Sequence, residues 1–310
     1  MGSNEYHGIL CVDKPAGFTS FDVIAKLRGI LRQRKMGHAG TLDPMATGVL
    51  PVFLGAATRA IDLVPVQDKG YTAGFTLGLS TDTYDSTGQI QQTAPVRVGR
   101  QEIEAALSGF RGQIEQLPPM YSAVKVNGQK LYQLARQGKT IEREPRRVIV
   151  YDLQLLDYDE ATCQGTLHIF CSKGTYVRSI VHDLGQLLGC GGVMHTLRRW
   201  SALDYDLDEC MTLDQIESKS VDGTLQLRPV DSCFAQWDAV QLSEELTRLY
   251  INGVRFSPRR LLHAPQDNRK LRVYGCNGQF LGLAYSQWDE DQFRAVRTFH
   301  TGLNCNSTAI

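Results

Sequence analysis

The sequence predicts an α+β fold in which a large domain, built on a mixed, mainly antiparallel sheet, is followed by a small β-rich domain. Three observations predict it. Apolar or alternating segments outnumber those with helical spacing. The two kinds alternate irregularly, unlike the regular strand–helix repeat of a parallel doubly wound sheet. At 310 residues with 42% hydrophobic side chains, the chain is long enough for one large core and a smaller one.

The elements follow in order. Residues 7–12 alternate weakly and end at Asp13-Lys14-Pro15-Ala16-Gly17, a strand running into a turn. Thr19 and Ser20 are helix-capping types, and Val23, Ile24, Leu27, Ile30 and Leu31 then recur at helical spacing. Residues 48–54 and 71–79 read as strands, the second followed by a polar, turn-rich stretch to Gly88. Residues 101–107 form a short helix, and 148–156 and 166–170 alternate as strands. Apolar residues at 177, 180, 181, 184, 187 and 188 predict a helix stopped by Gly189, after which 193–206 is extended. The second domain is expected from about Gln241, giving domains 1–240 and 241–310. Within it, 242–251 is helical and 271–298 a β-meander, with Asn277-Gly278 as a two-residue hairpin turn.

The charge sums to zero, with 33 basic and 33 acidic residues, but it is unevenly distributed. The helix after Thr19 exposes Lys26, Arg28, Arg32, Arg34 and Lys35, and no acid lies between Asp22 and Asp43. A basic insertion at about 120–147 carries Lys125, Lys130, Arg136, Lys139, Arg143, Arg146 and Arg147 against Glu142 and Glu144. Near the C-terminus Arg255, Arg259, Arg260, Arg269, Lys270 and Arg272 face Asp267 alone, while residues 204–217 are acidic. Three basic patches of this kind suit a polyanion such as nucleic acid.

Several function classes are disfavoured. No two of the eight cysteines lie closer than eight positions, and neither His182 nor His195 completes a zinc spacing, so no metal is expected. Scattered reduced cysteines, no apolar signal segment and no run of ~18 apolar residues predict a cytoplasmic protein without a membrane span. Gly138-Lys139-Thr140 ends like a phosphate loop, but Gln133 stands where its first glycine belongs. Gly189-Cys190-Gly191-Gly192 begins like a dinucleotide fingerprint, but Met194 replaces its last glycine. No cofactor is expected.

The most informative stretch runs from Gly37 through His38, Gly40, Thr41, Leu42, Asp43, Pro44 and Ala46 to Gly48. It presents one carboxylate on a loop stiffened by Pro44 and framed by glycines. Read alone it fits a capped turn. Together with Lys14-Pro15-x-Gly17, Lys69-x-Tyr71 and Gly174-Thr175-Tyr176-Val177-Arg178-Ser179, in that order, it resembles the TruB family of bacterial tRNA pseudouridine-55 synthases. The resemblance covers residues 8–199 and continues more weakly into a PUA-like C-terminal domain.

The resemblance implies the pseudouridine synthase fold and conversion of uridine to pseudouridine in the tRNA T loop. The target base would be flipped out, and no cofactor or metal is needed. Asp43 is implied as the catalytic aspartate, Tyr71 as the residue packing on the base and assisting proton removal, and Arg178 as the partner of the carboxylate. Leu197 is implied as an apolar wall and His38 as a support for the flipped nucleotide. Lys14 and Pro15 match a motif near the site, and Arg59 a phosphate contact. Lys125, Lys130, Arg146 and Arg147 would hold the T arm. The protein is expected to be a monomer with no obligate protein partner.

The reaction breaks the C1′–N1 bond and joins C1′ to C5, so one carboxylate suffices. Asp43 attacks C6, attacks C1′ or removes the C2′ proton; the sequence leaves all three open. Arg178 is expected to keep it ionised. Two other functions compete: a guide-dependent relative inside a box H/ACA ribonucleoprotein, and an RNA-folding protein acting on the T arm independently of catalysis. A glycoside hydrolase would need a second carboxylate, and no other acid stands in a comparable motif.

Overall fold

The computed structural model describes residues 5–122, 124–126, 128–139, 141–263 and 266–299. In chain order its elements are β1 (Gly8–Lys14), α1 (Ser20–Leu31), β2 (Met36–His38), β3 (Thr47–Leu54), β4 (Lys69–Leu77), β5 (Leu79–Thr81), β6 (Ile90–Thr93), α2 (Arg100–Leu107) and β7 (Gly112–Gln116). There follow β8 (Lys125–Val126), β9 (Gln129–Lys130), α3 (Leu131–Ala135), β10 (Arg146–Asp159), β11 (Gln164–Cys171), α4 (Val177–Leu187), β12 (Gly192–Ala202), β13 (Tyr205–Asp206) and α5 (Leu213–Val221). The chain closes with β14 (Ala239–Gln241), α6 (Glu244–Ile251), β15 (Arg269–Tyr274), β16 (Phe280–Gln287) and β17 (Gln292–Thr298).

One large sheet runs β1-β3-β12-β4-β11-β10-β7, with β2 beside β3 and β13 beside β12. Among its described pairs only β3–β12 is parallel, so the sheet is mixed and mainly antiparallel, as the sequence predicts. β12 therefore sits between the strand that follows the Asp43 loop and the strand that carries Tyr71. On β4, Tyr71, Ala73, Phe75 and Leu77 bury one face, as period-2 alternation requires. Helices α2 and α4 cover it through Ile103, Leu107, Val177, Ile180, Val181 and Leu184.

α1 starts where Thr19 and Asp22 form a reciprocal capping box. Its buried stripe of Val23, Ile24, Leu27 and Leu31 packs on Leu10, Val12, Leu50 and Val52, with Leu213 and Ile216 of α5 completing that layer. α4 ends before Gly189, which is left-handed at φ 73°. At Gly185 an added Cβ would come within 2.1 Å of the Gly192 nitrogen, so this glycine lets α4 lie directly on the start of β12.

The insertion is a two-stranded hairpin (β8–β9) followed by α3, with a small core of Met120, Leu131 and Leu134. The C-terminal sheet runs β14-β15-β16-β17 over α6. It begins at Ala239, because β14 pairs in parallel with β15. The turn at Asn277-Gly278 is longer than the two-residue hairpin expected: the last pair is Tyr274↔Phe280, and the Gly275 amide donates to the Gln279 carbonyl.

Candidate active site

The Asp43 loop joins β2 to β3 and is strapped from several sides. Ser20 at the start of α1 accepts from the Leu42 amide at 2.9 Å, and the Gly17 amide donates to the Pro44 carbonyl at 2.9 Å. Arg199 of β12 is fully buried; its Nη2 donates to the Gly40 carbonyl at 2.9 Å and its Nε to the Val49 carbonyl at 2.7 Å. Two of the glycines are needed for this approach. Gly40 has φ 77° and Gly48 φ 102°, and a Cβ on Gly48 would meet the Arg199 carbonyl oxygen at 2.1 Å. The remaining glycine of the stretch before Asp43, Gly37, has no left-handed φ.

Asp43 faces Arg178, which leaves the first turn of α4. Arg178 Nε lies 3.0 Å from Asp43 Oδ2, and Nη2 donates to Oδ1 at 3.2 Å, a two-point pair. The other edge of the same guanidinium is engaged too: Nη1 donates to Asp85 Oδ2 at 3.2 Å and to the Thr83 carbonyl at 3.1 Å. Nη2 also reaches the Tyr121 carbonyl at 3.0 Å, at the root of the insertion. Asp85 is thus a second acid at the site, which no motif in the sequence marks. Its carboxylate is saturated: Oδ1 accepts from the Thr83 hydroxyl at 2.8 Å, the Thr87 amide at 3.0 Å and the Thr87 hydroxyl at 2.5 Å. The hydroxyl-rich surround of Thr81, Thr83, Ser86 and Thr87 was the one sequence sign of a buried carboxylate there.

The pull of Arg178 on Asp43 is as expected, but it is outweighed. Burial pushes its pKa up, Arg178 pulls it down, and Asp85 adds to the rise. One guanidinium shared between two carboxylates leaves Asp43 a more basic group than an ordinary aspartate. Its side chain keeps 34% of its surface open, against 6% for Asp85, so Asp43 is the accessible member of the pair.

The other residues singled out by the sequence fall into three groups. Tyr71 and Leu197 come together with Leu42 and Ala46 in one buried cluster beside Asp43. Burial pushes the Tyr71 phenol up to about 12, against the pull of Arg199, so its protonated form is favoured. His38, on β2, has a buried Nδ1 without a hydrogen-bond partner, and burial, with Arg199 nearby, lowers its pKa.

Lys14 requires a correction. Its side chain is fully buried, and Nζ donates to the carbonyls of Pro15 at 2.9 Å, Phe18 at 2.5 Å and Pro44 at 3.3 Å. It clamps the Asp43 loop from below and has no surface to offer RNA. Burial lowers its pKa to about 8, partly offset by Asp43. Pro15 is exposed next to it. Arg59 also has a different partner from the one expected: Nη1 donates to the Thr298 carbonyl at 3.1 Å, across to the C-terminal sheet.

Arg146 and Arg147 are exposed where β10 begins, Arg146 opposite Gln116. Gln116 in turn holds the backbone of Tyr176 through two hydrogen bonds, two residues before Arg178. The side chains of Lys125 and Lys130 lie outside the described residues; their backbones pair across β8–β9. A cavity of about 350 Å³ adjoins the loop, with Gly40, Lys69 and Lys173 in its wall and Asp43 outside its lining. Burial lowers the Lys69 pKa to about 8. Among the described residues no helix is long and apolar enough to cross a membrane.

Arg199 and Asp85 are the two buried charges at this site that sequence reasoning did not assign. Arg199 was visible only as the end of Leu197-Arg198-Arg199, and its burial follows from the β3–β12–β4 neighbourhood, which no local pattern encodes.

Comparison with known proteins identifies the family. Residues 28–177 match the family model described as TruB family pseudouridylate synthase (N terminal domain), and residues 178–235 match the tRNA pseudouridylate synthase B C-terminal domain. A tRNA pseudouridine synthase B of Clostridium acetobutylicum is 40% identical over 290 residues, covering 94% of this chain and 98% of the relative. One of Ectopseudomonas mendocina is 43% identical over 300 residues, covering 95% and 96%. Among solved structures, a chain of the Cbf5-Nop10-Gar1 complex superposes with a TM-score of 0.70 at 24% identity over 95% of this chain and 85% of that one, a likeness of fold. With the Asp43 loop, the β3–β12–β4 neighbourhood and relatives of this extent in agreement, the chain belongs to the TruB family of pseudouridylate synthases.

Proposed function

We propose that this protein isomerises uridine to pseudouridine in tRNA, at position 55 of the T loop, with Asp43 as the catalytic carboxylate. The observation that carries the reading is the accessible Asp43 carboxylate, gripped at two points by an arginine that a second, saturated carboxylate fixes in place. An isomerisation needs no net oxidant or leaving group. It needs a carboxylate that is ionised, placed and able to exchange a bond or a proton at the sugar or base, and that rigid pair supplies it.

Each neighbour has a part. Leu197 and Leu42 keep water from the broken glycosidic bond. Tyr71 supplies an aromatic face for the base; such stacking is worth ~1–3 kcal/mol. With its phenol held protonated, Tyr71 is placed to pass on a proton during the base's transfer. The uridine must leave the loop stack, at roughly a few kcal/mol. Neutral His38 beside the Asp43 loop offers a ring for the flipped nucleotide without a charge to desolvate. The T arm lies over the exposed cations of α1 and of the β10 start, read through its shape and phosphates. The chain is proposed to act as a monomer, without an obligate protein partner.

The test is incubation with unmodified tRNA followed by mapping of pseudouridine by position, for the wild-type protein and for Asp43→Asn. Modification at position 55 is expected, with turnover lost by about 10⁴-fold or more in the variant and tRNA binding retained. Wild-type-like turnover by Asp43→Asn sinks the assignment, and bound but unmodified tRNA with both proteins favours an RNA-folding role.

A further inference from the structure

Two rings outside the carboxylate–arginine contacts are built into their support. Tyr84, in the segment between β5 and β6, and His182 of α4 lie face to face, with centroids 3.7 Å apart and planes inclined by 11°. Tyr84 has φ 65°, a conformation that non-glycine residues rarely adopt and that persists only where the surroundings impose it. Here they do so from two sides. The Met194 amide of β12 donates to the Tyr84 carbonyl at 3.2 Å, and the Ser86 amide donates to the Met194 carbonyl at 2.8 Å. From the other side come two side chains of α4. Arg178 and His182 are four residues apart and leave the same helical face. Arg178 takes the Thr83 carbonyl and the Asp85 carboxylate, and His182 covers the residue between them.

The imidazole of His182 is oriented by this stack. Its Nδ1 is buried without a hydrogen-bond partner, and burial disfavours its charged form. A neutral ring with an unbonded buried nitrogen is poorly explained as a polar anchor, and well explained as a flat surface. The sequence offers no other use for it, as no metal spacing includes His182.

We propose that Tyr84 and His182 are a positioning pair for the isomerisation: their stack holds Asp85 against Arg178, and through Arg178 holds the Asp43 carboxylate. Neither ring touches the substrate. The inference rests on the reading of Asp43 as the catalytic carboxylate, and it adds a support that acts on turnover instead of on tRNA affinity.

Steady-state kinetics on unmodified tRNA test it with the full chain, using wild type, His182→Ala, His182→Phe and Tyr84→Gly. His182→Ala is expected to lower kcat about tenfold, the size of one lost aromatic contact, with KM within about twofold. His182→Phe keeps a ring and restores kcat to within about twofold of wild type. Tyr84→Gly relieves the backbone strain, so a purely structural role predicts unchanged or improved stability and unchanged kcat; the positioning role predicts the kcat loss of His182→Ala. The variant combining His182→Ala with Tyr84→Gly is expected to be no slower than either single one. Wild-type kcat in His182→Ala or Tyr84→Gly overturns the proposal, as does a loss confined to KM or a His182→Phe as slow as His182→Ala. Should His182→Ala fail to fold, the contrast between His182→Phe and Tyr84→Gly decides in the same terms. Absence of pseudouridine with the wild-type protein overturns the proposed function itself, a different outcome from any of these.

Discussion

Asp43 and Asp85 differ by environment more than by chemistry. Both pair with Arg178, but Asp85 is sealed among threonine hydroxyls while Asp43 keeps an open side. Because burial and Asp85 both push the Asp43 pKa above 3.8, the acid limb of kcat/KM is expected above the pH of an ordinary aspartate. Asp85→Asn removes one of the two upward pushes, so that limb moves to lower pH. The same change loosens Arg178, and kcat at neutral pH falls about ten- to a hundredfold, the worth of one hydrogen bond to a charged group. A limb that stays in place or moves upward contradicts the coupling. The sign for stability is the opposite of a usual salt bridge. A carboxyl whose pKa is raised on folding contributes stability below its unfolded value, and that contribution is lost as pH rises through the folded value. Ionised Asp43 therefore costs stability at neutral pH. Asp43→Asn should melt no lower than wild type at pH 7, with the difference vanishing below about pH 4; a clearly lower melting temperature at pH 7 contradicts this.

At the scale of elements, the Asp43 loop depends on the close approach of β3 and β12. Gly48 pairs with Arg199, has φ 102° and leaves no room for a Cβ beside the Arg199 carbonyl. Gly48→Ala is expected to cost at least about 2 kcal/mol and to lower activity with it, since Arg199 also holds Gly40. Chemical denaturation measures the cost, and a loss below about 0.5 kcal/mol refutes it. The same contrast explains what the sequence reveals. β4, α1 and α4 show apolar periods, and β1 and β3 short apolar runs, because each buries one face or both, and those elements are legible. β6 is exposed along its whole length and β2 has three residues, so neither leaves a period to read. The Asp43 motif is legible because its glycines, proline and acid are contiguous. Asp85 is not, because its role is set by an arginine 93 positions away. Lys14 is legible as a motif residue near the site, but its role is not: only the fold shows three carbonyls around its ammonium.

For the whole molecule, the zero net charge conceals a division that sequence counting draws only in part. Six cations near the C-terminus seemed to face one acid, but the fold brings others to them: Arg259 pairs with Asp291, Arg260 with Glu245, and Arg269 with Asp238 as well as Asp267. Half of those cations are thereby paired with carboxylates, while Arg255, Lys270 and Arg272 make no ion pair among the described residues. Unlike Arg259 and Arg260, the exposed Lys26 of α1, Lys35 after it and Arg146 at the start of β10 make no ion pair among the described residues. Arg146 lies opposite Gln116, which anchors the chain just before Arg178, and this links the exposed basic edge to the Asp43–Arg178 pair. Each phosphate contact contributes about 0.7–0.9 to the slope of log affinity against log salt. Neutralising Lys26, Lys35 and Arg146 together to glutamine should therefore lower that slope by about two and weaken tRNA binding at low salt. Neutralising Arg259 and Arg260 should change the slope by less than about one, because each arginine would have to give up a carboxylate to reach a phosphate. Binding measured across a salt series separates the two surfaces. Equal slopes for both variants would mean that the C-terminal ion pairs open on contact with RNA, and that the whole basic face, not only the edge beside Arg178, carries the tRNA.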